Sequence, residues 1–395
     1  MISDSMNKLV SGSSMIRAMF EEGKKLKAIY GADNVYDYSL GNPSVEPPHE
    51  VKEAIIKILD TEEPNFLHGY TNNSGYEDVR KSIAEYTNKA FQTNFSLENV
   101  VMTNGAAAAL NIIFRCILNP GDNIITFAPF FTEYTNYVES YGCNLIAVPA
   151  NTETFQVNFD EFERLITPKT RGVLMNTPNN PSGAVYSEST IKRIAAIMEA
   201  KQKEFNTDIY LISDEPYREL VYDGVQVPFV SKYYKNTFIA YSFSKSLSLP
   251  GERIGYLIAN SEMADFEKMM FALNVANRVA GFVNANSLFQ RVIPYCLDCK
   301  VDIEIYNKNR VALYNKLIEL GFECVKPAGA FYMFPKTLIE DDVEFCKAAK
   351  QFNLLLVPGS SFGCKGHMRL SYCVSHDTIL NSFSAFEKLA EMYRK

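Results

Sequence analysis

Histidine is scarce in this sequence, and the four present (His49, His68, His367 and His376) fall at no spacing that a metal site uses. Eight cysteines are scattered along the chain, and only Cys296 and Cys299 form a CxxC. A zinc ribbon needs a second such pair. Residues 296–299 read as helix, so these two are expected to be packed thiols, and no metal chemistry is expected. Dense Lys/Arg tracts are missing too; Lys24, Lys25 and Lys27 amount to one basic turn of an N-terminal helix. With a formal net charge of −7 and a pI near 5.4, nucleic acid is not expected as a main partner. No apolar run approaches membrane-spanning length. Residues 1–14 are polar and lack the apolar core of a secretory leader. The expectations are therefore no membrane association and a cytoplasmic location. Neither an internal repeat nor a long Gly/Ser/Pro linker divides the chain.

What the sequence does have is apolar surface. Of its 395 residues, 47% are hydrophobic and 13% aromatic, enough to exclude disorder and to fill more than one small core. Short apolar runs at 100–102, 124–127, 172–175, 209–212 and 238–241 read as buried strands. Helical stretches lie between them. Leu110, Ile113, Phe114 and Ile117 share one face while Arg115 points elsewhere, and Ile191, Ile194, Ala195 and Met198 lie opposite Lys192, Arg193 and Glu199. Strands alternating with helices predict an α/β fold, a mostly parallel sheet covered by helices on both faces. After about residue 290 the texture changes. A charged helical segment, 301–320, leads to short strand-like runs at 331–334, 354–357 and 368–372. The expected division is a large domain over 46–290 and a smaller α+β domain made of 1–45 and 291–395.

Ligands of open α/β sheets gather at the carboxyl ends of the strands. Here the five runs are followed, in order, by Thr103-Asn104-Gly105-Ala106-Ala107 opening a helix, by Pro129-Phe130-Phe131 with Tyr134, by an Asn/Pro-rich loop at 176–183, by Asp214-Glu215-Pro216-Tyr217, and by Ser242-Phe243-Ser244-Lys245. Taken singly, several have ordinary explanations. The Gly-Ala-Ala start is a common tight turn, although its free N–H groups and dipole also suit a phosphate. Phe131 is a common core residue, and Asn with Pro makes turns. Asp214 and Lys245 are harder to explain away, because a charge that ends a buried strand is costly unless it is paired. Burial would also lower the lysine pKa toward that of a usable amine nucleophile.

Together these residues resemble a known family. The stretch 242–256, with Ser242, Lys245, Pro250, Gly251, Arg253 and Gly255, is similar to the lysine signature of the class I, aspartate-aminotransferase-like enzymes that use pyridoxal 5′-phosphate (PLP). The 176–183 loop and residues 213–217 resemble two further landmarks in the right order. So do Leu40-Gly41-Asn42-Pro43, His68-Gly69-Tyr70-Thr71 with Gly75, residues 327–332, and Met368-Arg369-Leu370-Ser371. The resemblance runs from about residue 35 to the C-terminus. It implies that Lys245 carries PLP as a Schiff base and then moves a proton at the substrate, that Asp214 pairs with the pyridinium nitrogen, and that Tyr217 and Asn180 bond the ring oxygen. Phe131 would stack on the ring. The phosphate would rest on the N–H groups of Ala106 and Ala107, with Ser242 and Arg253 as partners and Ser244 assisting. Tyr70 resembles a tyrosine that reaches the phosphate of a neighbouring subunit, which implies a homodimer with shared sites. Arg369 resembles the arginine that clamps the substrate α-carboxylate, with Asn180 and Gly41 beside it.

The resemblance implies amino-group transfer between an L-amino acid and a 2-oxo acid. The same cofactor would also serve a C–S β-lyase or an aminocyclopropane-carboxylate-synthase-like lyase, a group that shares the Ser248-Leu249-Pro250-Gly251 stretch. A ligand-binding regulator would need an added DNA-binding domain, for which the residues before Gly41 are too few. Two features depart from the aspartate-specific pattern. Positions 106–109 are all alanine, so a lysine found at position 107 in some relatives is absent. Arg278, near where others supply a dicarboxylate-binding arginine, is expected to be a solvated helix residue.

Overall fold

The five apolar runs expected as buried strands join two further strands in one seven-stranded sheet in the computed structural model, which describes residues 2–11 and 15–394. The parts of the expected small domain at positions 1, 12–14 and 395 lie outside those residues. In chain order the strands are β1 (Tyr36–Asp37), β2 (Val100–Thr103), β3 (Asn123–Phe127), β4 (Asn144–Val148), β5 (Thr170–Asn176), β6 (Tyr210–Asp214), β7 (Thr237–Ser242), β8 (Gly255–Ala259), β9 (Tyr332–Met333), β10 (Leu354–Leu355), β11 (Val357–Pro358) and β12 (Met368–Ser371). The large sheet runs β2-β8-β7-β6-β5-β3-β4. Pairing is parallel from β7 across to β4, and β8 is antiparallel to both β7 and β2. The sheet is thus mostly parallel and the fold α/β.

Side chains alternate across this sheet with the period of two that extended backbone imposes. Val173, Met175, Leu211 and Ile239 pack on one face with Ile191, Ile194 and Met198 of the helix Glu188–Phe205. Leu174, Ile212, Phe238 and Ala240 pack on the other with Ile112, Ile113 and Phe114 of the helix Ala106–Ile117. Register aligns the strand ends. Asn176 lies opposite Asp214, and Asp214 opposite Ala240, so β5 and β6 end side by side while β7 runs on to Ser242.

A second core forms around Tyr38, Tyr306, Leu313, Phe331, Leu370 and Phe386, with Tyr217, Leu220 and Tyr222 from the segment after β6 joining it. It carries the antiparallel sheet β11-β12-β9 and the parallel pair β1-β10. The run expected at 354–357 is split at Leu356, because β10 pairs with β1 whereas β11 pairs with β12. The charged helix spans Glu304–Glu319. Cys299 is not helical as expected. The helix Ser287–Cys296 stops at Cys296, and the Cys299 N–H bonds the Cys296 carbonyl at 3.1 Å in a following turn. Both thiols are free. Among the described residues no helix is long and apolar enough to cross a membrane. Nor is any group of three or more His, Cys, Asp or Glu side chains placed to hold a metal.

Candidate active site

The aligned strand ends open onto one cavity of about 280 Å³. Its lining brings together Gly41, Ala106, Ala107, Phe131, Asn180, Asp214, Tyr217, Ser242, Ser244, Lys245, Arg253 and Arg369, nearly the whole set that the sequence nominated. Tyr70 is the exception. It is 92% exposed and lines a separate shallow recess that shares only Arg253 with the cavity. Arg278 is exposed near the end of the helix Phe266–Val279 and does not line the cavity.

Lys245 sits on the four-residue helix Phe243–Ser246, immediately after β7. Its Nζ donates to the Gly41 carbonyl at 2.7 Å and lies 5.4 Å from the centre of the Phe331 ring. Burial lowers its pKa from the usual lysine value to about 8. Gly41 is required there, because a Cβ would stand 1.9 Å from the Tyr332 hydroxyl.

Asp214 ends β6. Burial raises its pKa to about 7, opposed by the hydrogen bond that Tyr134 donates to Oδ2 at 2.5 Å. Its other oxygen, Oδ1, is buried with no partner among the described residues. Such an orphaned acceptor facing a cavity is expensive unless a ligand donor meets it. Asn176 fixes the backbone around it, donating from Nδ2 to the Asp214 carbonyl at 2.8 Å while its Oδ1 accepts the Asn180 N–H at 2.7 Å. One amide therefore ties two neighbouring loops together.

Arg369, on β12, is fully buried, which lowers its pKa. It donates to Asn180 Oδ1 at 3.1 Å and to the Ser39 carbonyl at 2.5 Å, and lies over the Tyr332 ring. Its Nε–H is buried without a partner among the described residues. Tyr217 and Tyr332 share a hydrogen bond at 3.0 Å. At the opposite end of the cavity Gly105, at φ +83°, caps the helix Ala106–Ile117, and a Cβ there would meet Arg253 Nη2 at 2.8 Å. The bare backbone lets the helix N-terminus and the guanidinium converge. Ser242 Oγ and Ser244 Oγ, 2.6 Å apart, lie beside them on the same lining. Tyr134, Tyr137, Asn176 and Tyr332 were given no role from sequence. Tyr134 lies within the helix that follows Phe131, and Tyr332 within the 327–332 stretch, but neither contact is visible without the fold.

A lysine and a carboxylate delivered to one cavity by adjacent parallel strands, with an anion-ready helix start at one end and a buried arginine at the other, define a class I PLP-dependent aminotransferase. The chain belongs to that family: its model, described as aminotransferase class I and II, matches residues 33–386. Among known structures, an aminotransferase from Eubacterium rectale is 48% identical, covering 100% of this chain and 99% of that one, with a TM-score of 0.97. An aspartate aminotransferase from Thermus thermophilus, solved with maleate, is 25% identical over 98% of this chain and 99% of its own, with a TM-score of 0.86. A probable N-acetyl-LL-diaminopimelate aminotransferase of Bacillus subtilis is 30% identical over 361 residues, 90% of this chain and 89% of that protein. The protein is a transaminase.

Proposed function

We propose that this transaminase holds PLP on Lys245 and moves an amino group between an L-amino acid and a 2-oxo acid. One observation carries the reading: Lys245 and Asp214 line the same cavity, and Asp214 Oδ1 is buried with no partner among the described residues. Asp214 would meet the ring nitrogen, Tyr217 and Asn180 the ring oxygen, and Phe131 the ring face. Ala106, Ala107, Ser242 and Arg253 would hold the phosphate, where the helix start offers free N–H groups. When bound, PLP supplies an electron-accepting ring that stabilises negative charge at the substrate α-carbon.

The remaining steps fall to the chain itself. Burial keeps a fraction of Lys245 neutral near physiological pH, so its amine would hold the cofactor and, when free of it, would carry a proton to and from the substrate α-carbon. Arg369 would bind the α-carboxylate through its free Nε–H, oriented by Asn180 and Ser39. Tyr332 and Gly41 bring the walls close around the reacting atoms. A homodimer is part of the proposal, with exposed Tyr70 reaching the phosphate of a second copy, as is the division into residues 46–290 and 1–45 with 291–395. The test is a donor–acceptor assay with PLP and a panel of L-amino acids. The expected result is amino product formed in proportion to 2-oxo acid consumed. Release of pyruvate and ammonia with no acceptor needed would instead make the chain a lyase.

A further inference from the structure

Asp214 reaches the cavity with one oxygen bound and the other bare, and the side chain responsible is Tyr134, 80 residues away in sequence. Tyr134 is fully buried on the helix Glu133–Glu139, directly after the segment carrying Phe131, and packs edge-on against that ring at 5.5 Å. The same short segment therefore carries the residue proposed to cover the cofactor ring and the one that grips the carboxylate behind it.

We propose that Tyr134 is the positioning residue for Asp214: its hydroxyl fixes Oδ2 and so leaves Oδ1 as the single acceptor aimed at a cofactor ring nitrogen. The proposal rests on the PLP reading and extends it to a residue outside the cavity lining. Backbone contacts do not fix the carboxylate. Asn176 holds only the Asp214 carbonyl, and nothing else among the described residues bonds the carboxylate. Electrostatics point the same way. Burial and the neighbouring Glu215 favour the protonated acid, and the Tyr134 hydrogen bond opposes both. Burial and the Asp214 charge also keep Tyr134 itself well above the usual tyrosine range, so it stays a donor. The titratable and charged groups around Asp214 are Glu215 and Tyr217 beyond its own strand, Tyr134 and Tyr137 from the helix, and Lys245, Arg253 and Arg369 on the shared lining. Strands β5 and β7 present only Asn176 and Ala240 in register.

Removing the donor raises the Asp214 pKa further, so the carboxylate is lost at a higher pH. The probe is pyridoxamine 5′-phosphate, which keeps the ring nitrogen but has no aldehyde for Lys245. Its dissociation constant is measured from pH 5.5 to 9 on full-length apoprotein, wild type and Tyr134→Phe. Near pH 6 the variant is expected to bind roughly tenfold or more weakly, a gap that narrows toward pH 9, with the acid limb moved to higher pH. In an Asp214→Asn background the Tyr134→Phe change is expected to add nothing. An unmoved limb, an equal loss at every pH, or the same loss in the Asp214→Asn background would each reduce Tyr134 to a packing residue and overturn the proposal. A wild-type protein that binds no pyridoxamine 5′-phosphate at any pH would overturn both this inference and the function on which it rests.

Discussion

An exposed lysine at neutral pH is almost wholly protonated and cannot attack a carbonyl, and an exposed aspartate is almost wholly ionised. Burial at the ends of adjacent strands moves Lys245 down to about 8 and Asp214 up to about 7, so each lies within reach of its other state. Arg369 differs. Its guanidinium stays charged despite complete burial, held by Asn180, the Ser39 carbonyl and the Tyr332 ring. That geometry commits its two terminal nitrogens and leaves the buried Nε–H without a partner among the described residues. Arg369→Ala is therefore expected to lower kcat/KM for amino acids by about 2–5 kcal/mol, the usual loss when a buried charge pair is truncated. Turnover of an amine lacking the carboxylate is expected to change little. Equal losses on both substrates in steady-state assays would remove Arg369 from carboxylate binding.

At the scale of elements, the site works because β5 and β6 end in register beside β7, and the three strands end on the polar residues Asn176, Asp214 and Ser242. Those strands are buried on both faces, so they appear in the sequence as unbroken apolar runs, and the residues after them could be nominated without a structure. Within the large sheet, two strands escaped that reading. β4 was open to it, since Leu145 to Val148 are all apolar, although on this edge strand Leu145 to Ala147 are only half-buried and Asn144 is exposed. β8 is wholly buried, but it follows directly on the Arg253 stretch and is hidden within the signature that named the lysine. Its antiparallel direction has no local mark at all. The same limit explains the missed side chains. Tyr134 meets Asp214 across 80 residues and Tyr332 meets Tyr217 across 115, and local pattern carries no record of such contacts. The loop after β6 shows a further device unseen in sequence. Arg218 is buried, bonded to Glu215 at 2.6 Å and to the Tyr256 hydroxyl at 3.1 Å, and stacked 4.6 Å from the centre of the Tyr241 ring. This pins the segment that delivers Asp214 at one end and Tyr217 in its middle.

For the whole molecule, the cavity lies where the large sheet meets the second core: Lys245 and Asp214 come from β7 and β6, and Arg369 and Tyr332 from β12 and β9. On the proposed reading, substrate would touch residues of both. Tyr70 belongs to neither wall of its own site. It is 92% exposed, so a second copy could cover it. If a second copy does so, mixing Lys245→Ala with Tyr70→Phe chains is expected to restore activity. One class of hybrid site would then have both residues intact. Activity no higher than that of either parent would assign Tyr70 elsewhere.

Every role proposed for the cavity depends on which nitrogen holds the cofactor. Protein incubated with PLP, reduced with borohydride and cut into peptides is expected to carry the pyridoxyl label on the single peptide containing Lys245. A label on another lysine, or none above a PLP-free control, would contradict that assignment.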